Sequence, residues 1–139
     1  VMCTINALCL ESLVDFLNWM LDFKVKFGVN FPVFTLNILR FPSFQSPLVL
    51  PDELRTRFKN ELQQWLDDHA DSPLLHQMEK NQTQRLIDYL DVVKTPHSDT
   101  FDMPALHNDF KQFYKQYDER RDKNLVETFP IIGAWYNEL

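Results

Sequence analysis

Two short apolar segments, VMCTINAL (Val1 to Leu8) and FTLNILRF (Phe34 to Phe41), constrain most how this chain folds. Both are rich in strand-forming residues and place apolar side chains at positions of either parity, as strands covered on two faces do. Each also carries a Thr and an Asn two residues apart: Thr4 and Asn6 in the first, Thr35 and Asn37 in the second. Between them, LESLVDFLNWMLDFKVKFG reads as one helix, with Leu13, Phe16, Leu17, Met20, Phe23 and Phe27 recurring at three- and four-residue spacing. Ser12 followed by Asp15 suits its N-terminal cap, and Gly28 suits the left-handed residue that stops it. Strand, helix and strand over about 40 residues is the size of a right-handed crossover joining parallel strands.

After Phe41 the texture changes. Pro42, Pro47 and Pro51 forbid a continuous helix or a central strand across FPSFQSPLVLP. Pro51 then opens a helix with Leu54, Phe58, Leu62, Trp65 and Leu66 on one face. Ser72-Pro73 is expected to open a second, carrying Leu74, Leu75 and Met78, then Leu86, Ile87 and Leu90. The polar KNQTQ stretch (Lys80 to Gln84) is a candidate break within it. Asp102 before Met103-Pro104 opens a third, carrying Leu106, Phe110, Phe113, Tyr114 and Tyr117. Thr128-Phe129-Pro130 reads as the cap and first proline of a short last helix. The expected class is α/β: a strand–helix–strand unit over 1–50 and an α-helical extension over 51–139.

Composition narrows the function. At 139 residues and 45% hydrophobic content the chain builds one core, and no apolar run reaches the roughly 20 residues that span a bilayer. The opening residues show no basic n-region and no small-residue cleavage site, so no signal peptide is expected. A net charge of -6 with scattered basic residues argues against nucleic acid as a partner. Only two glycines, Gly28 and Gly133, occur, which excludes the glycine-rich loops that cradle phosphates. Cys3 and Cys9, if both on one extended strand, would lie about 20 Å apart and could not pair. Free, mostly buried thiols in a reducing compartment are therefore expected, which places the protein in the cytoplasm. Histidines 69, 76, 97 and 107 show no zinc-ligand spacing.

Candidate binding residues cluster at the strand ends. Thr4, Asn6, Thr35 and Asn37 share parity within their strands, so they project from one sheet face. Asn6 is the strongest candidate, nearest the C-terminal end of its strand, where barrel sites gather. Arg40, Ser43 and Gln45 follow the second strand at that same end. An Arg there suits a carboxylate, and Gln45 suits an amide or an adenine edge. Phe41 and Phe44 are expected to pack as core or lid. The run Asp118, Glu119, Arg120, Arg121 is expected to lock the last helix through ion pairs. Two parallel strands are not expected to stand alone as a sheet, so further strands are expected before Val1.

The stretch YDERRDKNLVETFPIIGAW (Tyr117 to Trp135) carries a specific resemblance. A Phe- and Tyr-rich helix (Phe110, Phe113, Tyr114) runs into Asp118, Arg120 and Arg121, then Asn124-Leu125 and Thr128-Phe129-Pro130. With ESLVDFLNWMLDFK and LRFPSFQSPLVLP, this resembles the twitch-domain radical S-adenosylmethionine (radical SAM) proteins, many encoded by phages. The likeness covers essentially the whole chain.

The resemblance implies a partial (β/α)6 barrel. VMCTINAL and FTLNILRF would be its fifth and sixth strands, and Thr4, Asn6, Thr35 and Asn37 would face its lumen. It implies a [4Fe–4S] cluster, held by three cysteines in a C-x3-C-x2-C motif, whose open iron binds S-adenosylmethionine. That motif is absent here. The cluster and cofactor therefore belong to the full-length parent, with the missing N-terminal barrel half as this chain's partner and an unidentified substrate. Thr4, Asn6, Asn37, Arg40 and Gln45 are the residues expected nearest the cofactor. With no cysteine after Cys9, no auxiliary cluster is expected. The alternative reading is a non-catalytic α-rich interaction domain whose strands pair with a partner or another copy.

Overall fold

The structure, a computed structural model, describes residues 1–92 and 102–139. In chain order it holds β1 (Met2–Ile5), a 3₁₀ helix (Leu8–Ser12), α1 (Leu13–Phe27), β2 (Thr35–Ile38) and two 3₁₀ turns (Ser43–Gln45, Pro47–Val49). Then come α2 (Asp52–Asp68), α3 (Gln77–Leu90), α4 (Met103–Arg121), α5 (Leu125–Thr128) and α6 (Pro130–Glu138). Helix makes up 68% of it, beside one two-stranded sheet, so the chain is α-rich with a small α/β unit at its start. β1 and β2 run parallel across α1, in the register Met2↔Thr35, Cys3↔Leu36, Thr4↔Asn37, Ile5↔Ile38. A barrel is not formed by these residues.

Both strands are shorter than their apolar runs. β1 stops at Ile5 because the Asn6 carboxamide accepts the Cys9 N–H at 3.0 Å and turns the chain into the 3₁₀ helix. This turn also overturns the expected separation of the cysteines, which assumed one extended strand. The Cys9 thiol instead folds back to the Thr4 carbonyl, 3.7 Å away, beside Cys3. Both thiols are free and half-buried.

α1 splits its apolar residues into two faces. Leu13, Leu17, Met20 and Leu21 are buried, together with Lys24. Phe16, Trp19, Phe23 and Phe27 lie elsewhere: at about 100° per residue they sit roughly a quarter-turn round the helix from that stripe. Gly28 ends α1 with φ 102 and ψ 161, a backbone region that strains any residue with a Cβ. Ser12 occupies the N-cap position without a side-chain cap bond.

α2 buries Phe58, Leu62, Trp65 and Leu66, as its periodicity predicts. Its Arg55 is buried too, pairing with Asp52 and donating to the carbonyls of Leu90, the last residue of α3, and of Val92 just after it. α3 departs from expectation at both named points. It starts at Gln77, not at Ser72-Pro73, because the Glu79 carboxylate reaches back to accept the His76 N–H at 3.0 Å. The KNQTQ stretch does not break it: Glu79 and Thr83 lie inside the fold, and the Thr83 hydroxyl donates to the Glu79 carbonyl at 3.0 Å.

That polar stretch has a structural task. β2's outer edge faces α3, and side chains three residues apart on the helix satisfy its backbone. Glu79 Oε2 accepts from Phe34 N at 3.2 Å, Gln82 Oε1 accepts from Leu36 N at 3.2 Å, and Arg85 donates to the Leu36 carbonyl at 2.7 Å. The helix thus closes one edge of the sheet as a strand would. Lys24 locks the same corner. Its ammonium reaches Glu79 Oε1 at 2.7 Å and the Val29 carbonyl at 2.9 Å, with both charged side chains fully buried.

The C-terminal helices are tied down by short-range caps and one long-range one. Asp102 accepts from Ala105 N and starts α4, as predicted. Asp118 accepts from Leu125 N at 3.0 Å, which caps α5. The predicted lock is therefore a carboxylate cap, since no ion pair of Arg120 or Arg121 forms among the described residues and Arg121 instead lies 5.1 Å over the Tyr117 ring. Thr128 does not cap α6: its hydroxyl donates back to the Asn124 carbonyl inside α5. The Glu11 carboxylate caps α6 from the far end of the sequence, accepting Ile131 N at 3.0 Å and Ile132 N at 2.9 Å. Gly133 allows α6 to approach α5, where a Cβ would lie 2.7 Å from the Val126 Cα. One buried cluster runs from Ile5 through Leu36, Phe58 and Leu86 to Phe110, Ile132 and Tyr136, joining both halves of the chain.

Candidate functional site

The parallel ladder determines which backbone groups of β1 are free. Thr35 N donates to the Val1 carbonyl and Leu39 N to the Ile5 carbonyl, both at 2.9 Å. Alternation along a strand then turns the N–H and C=O groups of Met2 and Thr4 away from β2. Among the described residues neither N–H has a backbone partner outside the ladder, and the Thr4 carbonyl meets only the Cys9 thiol. β1 is therefore an open sheet edge, while β2's edge is closed by α3.

The sheet faces differ as sharply as its edges. Ile5 and Leu36 point into the core, and on the other face Met2, Thr4 and Asn37 are exposed, with Thr4 and Asn37 side by side in register. Shared parity predicts one face for these residues, and the structure leaves it exposed at Met2, Thr4 and Asn37 but not at Thr35, which is half-buried with its hydroxyl oxygen out of solvent.

Along β1's free edge runs a groove of about 700 Å³, lined by Cys3, Thr4, Ile5, Asn6, Gln45 and the rings of Phe16, Phe113, Tyr114, Tyr117 and Phe129. It is mostly apolar with a few polar groups, the usual constitution of a binding groove. Phe113 packs on Phe44 at 5.4 Å and on Tyr114 at 5.0 Å, so the predicted aromatic stripe of α4 is core at Phe110 and Tyr114 and groove wall at Phe113 and Tyr117. Burial, then Cys9 and Tyr117 nearby, pushes the Tyr114 phenol up to about 12. Burial raises the Cys3 thiol as well, with Cys9 adding to it and the N-terminal ammonium opposing it, so Cys3 stays a neutral thiol at pH 7.

The structure separates the predicted site residues into three places. Asn6 and Gln45 meet in the groove, joined by the Ala7 N–H donating to the Gln45 carbonyl at 2.9 Å. The Asn6 side chain is committed to Cys9 N as a turn cap. Thr4 and Asn37 lie on the open face. Arg40 belongs to neither: it is exposed, its guanidinium 5.3 Å over the Tyr89 ring. Ser43 lies in the first 3₁₀ turn after β2. Phe44 packs on α4, whereas Phe41 is 79% exposed and packs as neither core nor lid. His69, His76 and His107 each hydrogen-bond a backbone carbonyl, and His97 lies outside the described residues.

Two features escaped the sequence pattern. One is the buried Lys24–Glu79 pair, whose residues look like ordinary helix-end charges. The other is a ladder of rings on α1's flank. Phe16–Trp19, Trp19–Phe23, Phe23–Phe27 and Phe27–Phe31 are spaced 6.1, 4.5, 5.8 and 5.8 Å, with Trp19, Phe27 and Phe31 more than half exposed. Three- and four-residue spacing signals one helix face, but not whether that face meets core or solvent.

Among the described residues no group of three His, Cys, Asp or Glu side chains is arranged to hold a metal ion, and no helix is long and apolar enough to cross a membrane. Comparison with family models, curated proteins and solved structures finds no match to this chain.

Proposed function

We propose that this chain is the C-terminal portion of a cytoplasmic radical SAM enzyme, supplying the last strand–helix–strand of its partial barrel and a helical extension. One structural observation carries the reading alongside the sequence resemblance. The parallel β1–β2 pair is closed on β2's side by Glu79, Gln82 and Arg85, open on β1's side, and bare on the face holding Thr4 and Asn37. A terminal strand pair of an incomplete barrel has these properties: one edge finished, one edge awaiting a neighbour, and a polar face toward a lumen.

The chain's own residues do not fit a [4Fe–4S] cluster. Its two thiols fall short of the three cysteine ligands such a cluster needs. Reductive cleavage of S-adenosylmethionine is accordingly assigned to the parent. This chain contributes position: Thr4 and Asn37 toward the lumen, and Asn6 with Gln45 at the strand ends. The non-catalytic interaction domain is the second reading, favoured by the exposed rings of α1.

The coding sequence upstream of Val1 separates the two. A C-x3-C-x2-C within the preceding couple of hundred codons supports the enzyme, and a start codon just upstream sinks it. The extended protein, loaded with iron and sulfide under anaerobic conditions and reduced, is expected to release 5′-deoxyadenosine from S-adenosylmethionine. Full cluster incorporation without that release would refute the proposal.

A further inference from the structure

We infer that the groove beside β1 binds a neutral aromatic molecule carrying a carbonyl or carboxamide group, with the Tyr114 hydroxyl as donor to that oxygen. Other tyrosines of the fold have partners within it. Tyr136, as buried as Tyr114, donates to the Lys111 carbonyl at 3.4 Å, and the Tyr89 hydroxyl meets Ser46 Oγ at 3.0 Å. Tyr114 is only 7% exposed, yet its hydroxyl has no hydrogen-bond partner among the described residues. A buried hydroxyl is ordinarily paired, because an unpaired one forfeits its bonds to water. This one opens on the groove: Tyr114 lines it, and the phenol feels the thiol of Cys9, another of its walls.

Two further polar groups of the same groove have capacity to spare. Asn6 spends its carboxamide oxygen on Cys9 N, which leaves its NH₂ as a donor, and the Gln45 carboxamide has no partner among the described residues. The Ala7 N–H, donating to the Gln45 carbonyl at 2.9 Å, holds these two together just past the carboxyl end of β1. Parallel sheets bind their ligands outside that end of the strands. The walls specify the rest of the molecule. Phe16, Phe113, Tyr117 and Phe129 supply rings for an aromatic body, and about 700 Å³ suits a small molecule. No Asp, Glu, Lys, Arg or His side chain is among the lining residues, so a charged ligand would give up hydration without gaining a counter-charge. The occupant is therefore neutral, and distinct from S-adenosylmethionine with its ammonium, carboxylate and sulfonium. The inference does not rest on the enzyme reading.

Indole-3-acetamide is the probe, titrated into the 139-residue chain and followed by nuclear magnetic resonance. The side-chain amide signals of Asn6 and Gln45 should shift together along one saturating curve. Tyr114→Phe should weaken the probe about 3- to 10-fold, the loss of one hydrogen bond. It should leave the urea midpoint at pH 7 no lower than that of the unaltered chain, because the hydroxyl it removes holds nothing within the fold. Indole-3-acetate, the same size but with a carboxylate, should bind at least about 10-fold more weakly than the carboxamide. Binding of 3-methylindole, which has no oxygen to accept the bond, should be the same in both proteins. The inference is overturned if no saturable shift appears at Asn6 and Gln45 up to about 10 mM probe, well past the range of weak specific binding. It is overturned equally by undiminished binding of the carboxylate or by unchanged affinity in Tyr114→Phe. A lowered urea midpoint in that variant also overturns it, since the hydroxyl would then be engaged inside the fold.

Discussion

Replacing Glu79 by Gln exposes how the β2–α3 corner is held. The carboxylate is fully buried and accepts three donors: Lys24 Nζ at 2.7 Å and His76 N at 3.0 Å on Oε1, and Phe34 N at 3.2 Å on Oε2. A carboxamide keeps the shape but must turn its NH₂ toward one of these donors. It also leaves the Lys24 ammonium buried with the Val29 carbonyl as its remaining strong partner. Breaking one side of a buried ion pair costs about 3–5 kcal/mol, against a total stability of about 5–15 kcal/mol for an ordinary domain. At a urea dependence near 2 kcal/mol/M, a loss of about 3 kcal/mol lowers the midpoint by about 1.5 M. Lys24→Met should cost a comparable amount, because it strands the carboxylate with two neutral N–H donors. In Lys24→Met/Glu79→Gln no buried charge remains, so the double variant should be about 2 kcal/mol less destabilised than the sum of the singles. Urea unfolding followed by far-UV circular dichroism measures all three. A coupling below about 0.5 kcal/mol would refute the claim that the pair acts as a unit.

Two further outcomes follow from the long-range contacts. Glu11→Ala should cost about 1–2 kcal/mol through loss of the α6 cap, and speed amide exchange at Ile131 and Ile132 before other α6 amides; unchanged exchange there would show that the cap is idle. Tyr114 gives the fold an alkaline limit. Its neutral phenol is favoured in the folded state, so the stabilisation is whole below the ordinary value of 10.0 and declines as pH rises toward about 12. Thermal unfolding between those limits should show a decline that Tyr114→Phe makes shallower, and an identical decline in both proteins would contradict it.

Much of the architecture was already legible in local patterns. Both strand segments, the helix between them, the Pro51 and Asp102 helix starts and the stop at Gly28 depend on interactions within a few residues. Side-chain parity likewise put Thr4 and Asn37 on one face. Errors arose where a distant partner overrode local preference. KNQTQ looks like a breaker because it is polar, yet its Gln82, with Glu79 and Arg85 around it, meets the unpaired backbone of β2. Thr128 looks like a cap because it precedes Phe129-Pro130, but Glu11 arrives from across the fold. The cysteines would be distant on one extended strand, but Asn6 turns the chain between them within four residues.

The amino-acid pattern by itself determined which segments are helical, which are extended, and which side chains share a face, because those follow from the 3.6- and 2-residue repeats of the backbone. Only the tertiary structure decided what each face meets. Lys24 and Glu79 became a buried pair, and the rings of α1 became a bare flank rather than core. β1 was left as the open edge because α3 came to lie against β2. Such outcomes depend on the path of the chain between distant residues, and no local period encodes that path.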